Sequence, residues 1–132
     1  MKKLLACALA AACLAGPAAA ELKFPSLDYR TGPFAAGGIP FADGYSDYLT
    51  LLNERDGGIG GVKISNPTCE TAYNTEKGVE CYEALKENAL VFQPLSTGIT
   101  YQLIPKASVD QIPIHSMGYG RTSAANGKVF EW

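Results

Sequence analysis

The sequence has little of what metal-binding, nucleic-acid-binding and membrane-spanning proteins need. His115 is the only histidine among 132 residues and lies in no cluster of ligand side chains, so a metal centre is not expected. Eleven lysines and arginines face 13 acidic residues without forming a basic patch, which argues against nucleic acid as a partner. The longest apolar run, Leu4 to Ala15, is shorter than the roughly 20 residues of a transmembrane helix.

The first 20 residues have the pattern of a secretory signal peptide. Two lysines precede the apolar run, and a Gly-Pro break and Ala18-Ala19-Ala20 follow it. This pattern predicts cleavage after Ala20, so Glu21 becomes the mature N-terminus in the periplasm. One alternative is a buried N-terminal helix. Another is a lipid anchor at Cys13, although the leucine expected three residues before a lipidated cysteine is missing.

Residues 21–132 are enough for one domain with a modest core. Loss of the leader's two lysines leaves nine basic against 13 acidic side chains, a net charge of −4. Two cysteines remain, Cys69 and Cys81, which allow only one intramolecular pairing. They form either a disulfide or two buried thiols, and an oxidising compartment favours the disulfide.

Strand-like and helix-like segments alternate along the mature chain. They are a strand within 21–31, a helix over 42–55, a strand from Val62 closed by Pro67, a helix from Asn74 or Thr75 to about Asn88, a strand at Leu90–Phe92, a helix over 98–110 kinked or split near Pro105, and a strand over 112–115. Cys69 is expected in the loop after the second strand, and Cys81 about two turns into the following helix. Lys128 to Trp132 look like the start of another element. The order β-α-β-α-β-α-β predicts an α/β fold with a doubly wound parallel sheet and helices on both faces.

Two polar, glycine-containing loops follow the third and fourth predicted strands. In parallel sheets, ligands bind beyond the carboxyl ends of the strands, where both loops fall. A helix that begins in such a loop also offers free N–H groups to an anion. The predicted ligand-binding residues are Ser96, Thr97, Gly98, Gly118, Tyr119 and Gly120. The Tyr119 ring either stacks on the ligand or is an exposed loop aromatic.

With this order of elements, the chain resembles the first lobe of type I periplasmic solute-binding proteins, in particular the leucine/isoleucine/valine-binding receptors of ABC transporters. The matching features are Thr31-Gly32-Pro33-Phe34 after strand one, the Asn53-Glu54-Arg55-Asp56-Gly57-Gly58-Ile59-x-Gly61 helix ending, Cys69 at the end of strand two, Leu95-Ser96-Thr97 after strand three, and Ser116-x-Gly118 after strand four. The resemblance covers nearly all of residues 21–132, and the Gly-Gly-Ile-x-Gly ending is its most specific part.

The resemblance implies the N-terminal lobe of a substrate-binding component that captures a small polar solute in the periplasm. An inner-membrane ABC permease would be its partner, no cofactor is implied, and the full-length receptor would be a monomer. Family members are about three times longer and have two lobes, so this chain is expected to be truncated and to hold half of a cleft. Gly120 replaces a threonine that amino-acid binders often have, which leaves branched-chain amino acids, amides and small carboxylates open. The family's disulfide commonly runs to the loop after strand three, where this chain has Ser96, which favours a local pairing of Cys69 with Cys81.

Two other functions compete with the solute receptor. A flavodoxin-like FMN or phosphate binder is suggested by Thr97-Gly98-Ile99-Thr100, but that family places its phosphate loop after strand one. A hydrolase would need Ser96 as a nucleophile with His115 as its base. No Gly-x-Ser-x-Gly turn surrounds Ser96, and Asp110 lies at the wrong end of a helix. A solute receptor without enzymatic activity is therefore the preferred interpretation.

Overall fold

The computed structural model describes residues 21–117 and the backbone of residues 129 and 130, in which helices alternate with short strands. The helices are α1 (Ala35–Asp56), α2 (Thr75–Leu85) and α3 (Thr97–Asp110). The strands are β1 (Leu22–Lys23), β2 (Ser26–Asp28), β3 (Ile64–Ser65), β4 (Thr68–Glu70), β5 (Gln93–Pro94), β6 (Ile114–His115) and β7 (Val129–Phe130). Across these described residues, no helix combines the length and apolar character needed to cross a membrane.

The strands pair in parallel, as predicted. β1 pairs with β3, β2 lies between β4 and β5, and β6 pairs with β7. Single parallel bridges from Lys23 to Ala89 and from Phe92 to Ile114 connect these short sheets. Pro25, which has no N–H to donate, separates β1 from β2. The last pair confirms that a further element begins near the C-terminus.

Helices cover both faces of the sheet. Phe92 packs in a buried cluster with Tyr82 of α2 and Leu103 of α3. Leu95, three residues further along the extended chain, packs instead with Ala42 of α1. Successive side chains of a strand point to opposite faces, so an odd spacing of three places these two residues on different faces. The predicted α/β fold with a doubly wound sheet is therefore confirmed.

The close packing of α2 against α3 depends on Gly78. A Cβ atom at this position would lie 2.6 Å from side-chain atoms of Ile99, which is fully buried. The same helix pair is joined at its other end by Tyr82, whose hydroxyl donates to Asp110 Oδ2 at 2.8 Å. Lys86 Nζ donates to the same oxygen at 3.1 Å. Apolar packing and a shared carboxylate thus fix α2 and α3 together.

The disulfide between Cys69 and Cys81 is present, with the two Cα atoms 5.9 Å apart. Cys81 lies about two turns into α2, as predicted. The prediction that Cys69 lies in a loop is wrong, because Cys69 is the middle residue of β4 and pairs with Leu27. Pro67 was expected to close the strand, but its carbonyl accepts from the N–H of Ser26 at 3.1 Å. A proline loses only its donor, so pairing with β2 resumes after it.

Helix α1 begins at Ala35, seven residues before the predicted start. Gly37, Gly38 and Pro40 lie within the added turns, and all three are weak helix formers. Gly38 is needed where it is, since a Cβ atom there would lie 1.9 Å from the carbonyl oxygen of Tyr29. Packing of the first turns of α1 against the end of β2 therefore outweighs the local sequence preference.

Three smaller boundaries also differ from the prediction. The third strand was expected at Leu90–Phe92 with Gln93 and Pro94 in the loop, but Gln93 and Pro94 form β5. The N–H groups of Gln93 and Leu95 both donate to carbonyls of the neighbouring strand segment, so the extended chain continues to Leu95. Helix α2 ends at Leu85 rather than near Asn88. Helix α3 is not split at Pro105, because its apolar face keeps both halves against the core.

We expect Gly78→Ala to destabilise the fold by about 1–3 kcal/mol, because the new methyl group overpacks the α2–α3 contact. Gly44→Ala is the matched control, since no atom lies within 4 Å of a Cβ built in this exposed part of α1. That change should stabilise by about 0.4–1 kcal/mol. Urea unfolding of both variants measures the difference, and equal stabilities would contradict the described packing of Gly78.

Removal of the disulfide by a double Cys69→Ala, Cys81→Ala change should lower the free energy of unfolding by about 2–4 kcal/mol. The main reason is that the unfolded chain gains conformational entropy when the cross-link is absent. Chemical unfolding of the unmodified chain with and without reductant should give the same difference. Mass spectrometry without reductant should find the two cysteines linked in protein exported to the periplasm. Two alkylatable thiols in freshly isolated, folded protein would contradict this pairing.

Candidate functional site

The loops that follow β2, β4, β5 and β6 come together at one edge of the sheet. Parallel strands place their carboxyl ends at the same edge, and the packing brings these loops into contact. Tyr29, Ala42 and Leu95 form a small buried cluster there, against which Tyr73 and Met117 pack. Each of the four loops contributes one residue to this cluster, which therefore forms the apolar floor of the candidate site.

Ser96 caps the N-terminus of α3. Its side chain accepts from the N–H of Ile99 at 3.4 Å, and its carbonyl accepts from Thr100. Ser96 is only 1% exposed, so the hydroxyl serves the helix and has little access to solvent. The predicted ligand residue Ser96 is thus brought to the edge, but in the described structure its side chain is occupied as a helix cap.

Thr97 and Gly98 are the first two residues of α3 and are only partly buried. The helical hydrogen-bond ladder begins with the N–H of Thr100, so the N–H groups of Thr97 and Gly98 precede it. A helix N-terminus carries partial positive charge and attracts anions. The Thr97 hydroxyl and these two N–H groups can therefore hold a carboxylate at the open edge of the sheet.

Glu70, at the end of β4, joins two of the loops. Its carboxylate accepts from the N–H of Arg30 at 2.7 Å, the hydroxyl of Thr31 at 3.0 Å and the N–H of Ala72 at 2.7 Å. Burial alone would raise the pKa of Glu70, but these hydrogen bonds outweigh it and hold the pKa below its ordinary value. The charged carboxylate thus joins the loop after β2 to the loop after β4, and this set of hydrogen bonds is called the Glu70 clamp.

The same two loops also contribute a group of aromatic side chains. The rings of Phe34 and Tyr73 have centroids 4.4 Å apart, and Tyr73 meets Tyr29 edge-on at 4.9 Å. Phe34 is 53% exposed, although it takes part in this contact. No pattern in the sequence predicts this group, because its members come from two loops about 40 residues apart. Only Phe34 occurred in a motif, and no role was assigned to it there.

Buried polar side chains lie just below the edge, on the α1 side of the sheet. Ser26, Asp28 and Gln93 are each about 1% exposed. Burial raises the pKa of Asp28, while Arg30 Nε at 3.5 Å favours the ionised carboxylate. The Asp28 side chain is only 2% exposed, so a solute at the edge would not reach it.

A large apolar cavity lies beneath α1 and apart from the edge cluster. It has a volume of about 620 Å³ and lies between α1 and the sheet segments around β5 and β6. Its lining is almost entirely apolar and comprises Phe24, Tyr45, Tyr48, Leu49, Leu52, Ile59, Leu90, Val91, Pro113, Ile114 and His115. Burial together with the charge of Asp28 raises the pKa of Tyr45 to about 12. A cavity with so few hydrogen-bonding groups suits apolar packing better than recognition of a polar solute.

The remaining predicted residues are placed as follows. His115 lies on β6 and lines the apolar cavity, and burial lowers its pKa. The hydrogen bonds that the structure gives Ser96 go to its own helix, so it is not prepared as a nucleophile for His115. Gly118, Tyr119 and Gly120 lie outside the described residues. Among the residues that are described, no three His, Cys, Asp or Glu side chains come together as a metal site.

Comparison with known proteins identifies the fold. The family model described as periplasmic binding protein matches residues 21–132. A crystal structure described as an ABC transporter permease from the Pseudomonas fluorescens group is 42% identical, with a TM-score of 0.72 over 77% of this chain and 26% of that chain. A search among curated protein sequences finds no match.

Two further solved structures share the fold at lower identity. The branched-chain amino acid transporter substrate binding protein LivJ from Streptococcus pneumoniae, in complex with isoleucine, is 18% identical with a TM-score of 0.71, covering 83% of this chain and 32% of that one. A solute binding protein from R. palustris, in complex with benzoate, is 24% identical with a TM-score of 0.59, covering 74% and 27%.

This chain therefore spans about a quarter to a third of the chains it matches. The family match extends over the whole of residues 21–132, and the parallel sheet with its three helices superposes on one part of each relative. The chain belongs to the periplasmic binding protein family, of which it contains the N-terminal lobe.

Proposed function

We propose that this chain is the N-terminal lobe of the substrate-binding component of an ABC importer. In this role it binds a small solute that carries a carboxylate, such as a branched-chain amino acid or a small organic acid, in the periplasm. The complete receptor, a monomer, would deliver the solute to an inner-membrane permease. Residues 1–20 act as a cleaved signal peptide, and the start of the family match at residue 21 supports this boundary.

The observation that carries the proposal is the N-terminus of α3 at the carboxyl edge of the sheet. The N–H groups of Thr97 and Gly98 precede the helical hydrogen-bond ladder, and the hydroxyl of Thr97 belongs to the same first turn. The partial positive charge of the helix end favours a negatively charged group at this position. Two of the similar structures contain isoleucine and benzoate. Both of these ligands carry a carboxylate group, which supports the same class of solute for this chain.

The site is suited to binding and not to catalysis. Ser96, the nearest hydroxyl to be considered as a nucleophile, is buried and caps α3. His115 lines the apolar cavity on the α1 side of the sheet and is not part of the edge cluster. A reaction would need an activated nucleophile within hydrogen-bond reach of its base. Gly118, Tyr119 and Gly120 remain proposed ligand contacts.

A single lobe offers only one side of such a site. Periplasmic binding proteins close two lobes around a ligand by a hinge motion. Well-formed sites bury about 70–90% of a ligand's surface, which one open edge does not achieve. We therefore expect this chain by itself to bind its solute only weakly.

In the complete two-lobed receptor, we expect Thr97→Val to weaken carboxylate binding by about ten- to a hundredfold, because it removes a hydrogen bond to a charged group worth about 1.5–3 kcal/mol. Acetate, benzoate and isoleucine are titrated into this receptor and its variant, and calorimetry measures the affinities. The isosteric change keeps the size of the side chain, so packing at the start of α3 should be unaltered.

The matched control is Thr50→Val, which removes an exposed hydroxyl that donates to the Ser46 carbonyl within α1. This variant should bind the three carboxylates as the unmodified chain does. If Thr97→Val also binds them with unchanged affinity, the carboxylate is not held at the N-terminus of α3 and the proposed site is wrong.

A further inference from the structure

We propose that the ring pair formed by Phe34 and Tyr73 is the part of this lobe that selects the solute's non-carboxylate end, and that the preferred solutes are carboxylates with an aromatic or bulky apolar group. This inference rests on the proposed function, since it assumes that the carboxylate lies at the N-terminus of α3. Glu70 acts as a positioning residue, because it fixes the two loops that carry the rings.

The ring pair adjoins the proposed carboxylate position through a short chain of contacts. Phe34 lies against Tyr73, with ring centroids 4.4 Å apart. Tyr73 packs against the buried cluster that contains Leu95, and Leu95 precedes Thr97 by two residues. The apolar surface and the helix N-terminus therefore belong to the same edge of the sheet, as a solute with one charged and one apolar end requires.

The exposure of Phe34 is unusual for its surroundings. The ring is 53% exposed at an edge where its neighbours Tyr29 and Leu95 are 8% and 2% exposed. Aromatic faces bind other rings and apolar groups with an energy beyond that of simple area burial. An exposed ring that is already held by a second ring presents one face in a fixed orientation, which suits it to contact a ligand.

The orientation of the pair is set by Glu70. Its carboxylate accepts from Arg30 and Thr31 in the loop that leads to Phe34, and from Ala72 beside Tyr73. Ala72 and Tyr73 have positive φ angles of 50° and 64°, a conformation that non-glycine residues seldom adopt. Three hydrogen bonds to one carboxylate offset the cost of this backbone conformation and hold both loops in place before a solute arrives.

The ratio of benzoate to acetate affinity tests the inference, because both probes carry the same carboxylate and differ in the ring. We expect the unmodified mature chain to prefer benzoate. Phe34→Ala should reduce this ratio by roughly two- to tenfold, the range that corresponds to the 0.5–1.5 kcal/mol of an aromatic pair. Phe41→Ala is the matched control, because Phe41 lies on α1, is 40% exposed and does not belong to the ring pair. This control should leave the ratio unchanged.

Glu70→Ala should reduce the ratio in the same direction while acetate binding changes little, and Glu70→Gln should retain part of the preference. Thr97→Val should instead weaken both probes equally and leave the ratio unchanged. An unchanged ratio in Phe34→Ala, with Thr97→Val still weakening both probes, would overturn the inference and leave the proposed function intact. Loss of any dependence on Thr97 would overturn the proposed function itself. If Glu70→Ala fails to fold, Phe34→Ala and Thr97→Val together still decide between these outcomes.

Discussion

The structure depends most on the parallel pairing of β2 with strands on both of its sides. β2 pairs with β4 through Leu27 and Cys69 and with β5 through Leu27 and Pro94. This central position brings three loops to one edge, although they lie far apart in sequence. The disulfide from Cys69 to α2 and the Glu70 clamp both act on β4, so a covalent bond and a set of hydrogen bonds secure the same strand.

The edge of the sheet and the cavity beneath α1 have different chemical characters, and this difference indicates which of the two suits a polar solute. The edge of the sheet offers N–H groups, hydroxyls and exposed aromatic rings, which suits a small solute with a charged end. The cavity beneath α1 is nearly without polar groups. The chemistry of the two linings therefore favours the edge as the binding site. The family match and the short coverage of each relative explain why such a site stands open on one side.

Much of this fold could be predicted from the sequence, because caps and periodicity are local. Asn74 or Thr75 was expected to begin α2, and Asn74 is its cap, with a side chain that accepts from the N–H of Lys77 at 2.8 Å. Gly57 ends α1 with a positive φ, as its glycine-rich ending indicated. The early start of α1 and the strand position of Cys69 were missed, because both depend on contacts with β2. The role of Glu70 in joining two loops was missed for a similar reason, because its partner Arg30 lies 40 residues away in the sequence.

The central claim is that residues 21–132 form one side of a carboxylate site at the N-terminus of α3. It is tested most directly by titrating the isotope-labelled mature chain with isoleucine and benzoate and mapping which backbone amides shift. The account predicts a dissociation constant no better than about 1 mM, or about −4 kcal/mol, with the largest shifts at Thr97 and Gly98. A micromolar dissociation constant would mean that the site is complete within this chain. Shifts confined to residues that line the apolar cavity would place the solute elsewhere, and either result would contradict the account.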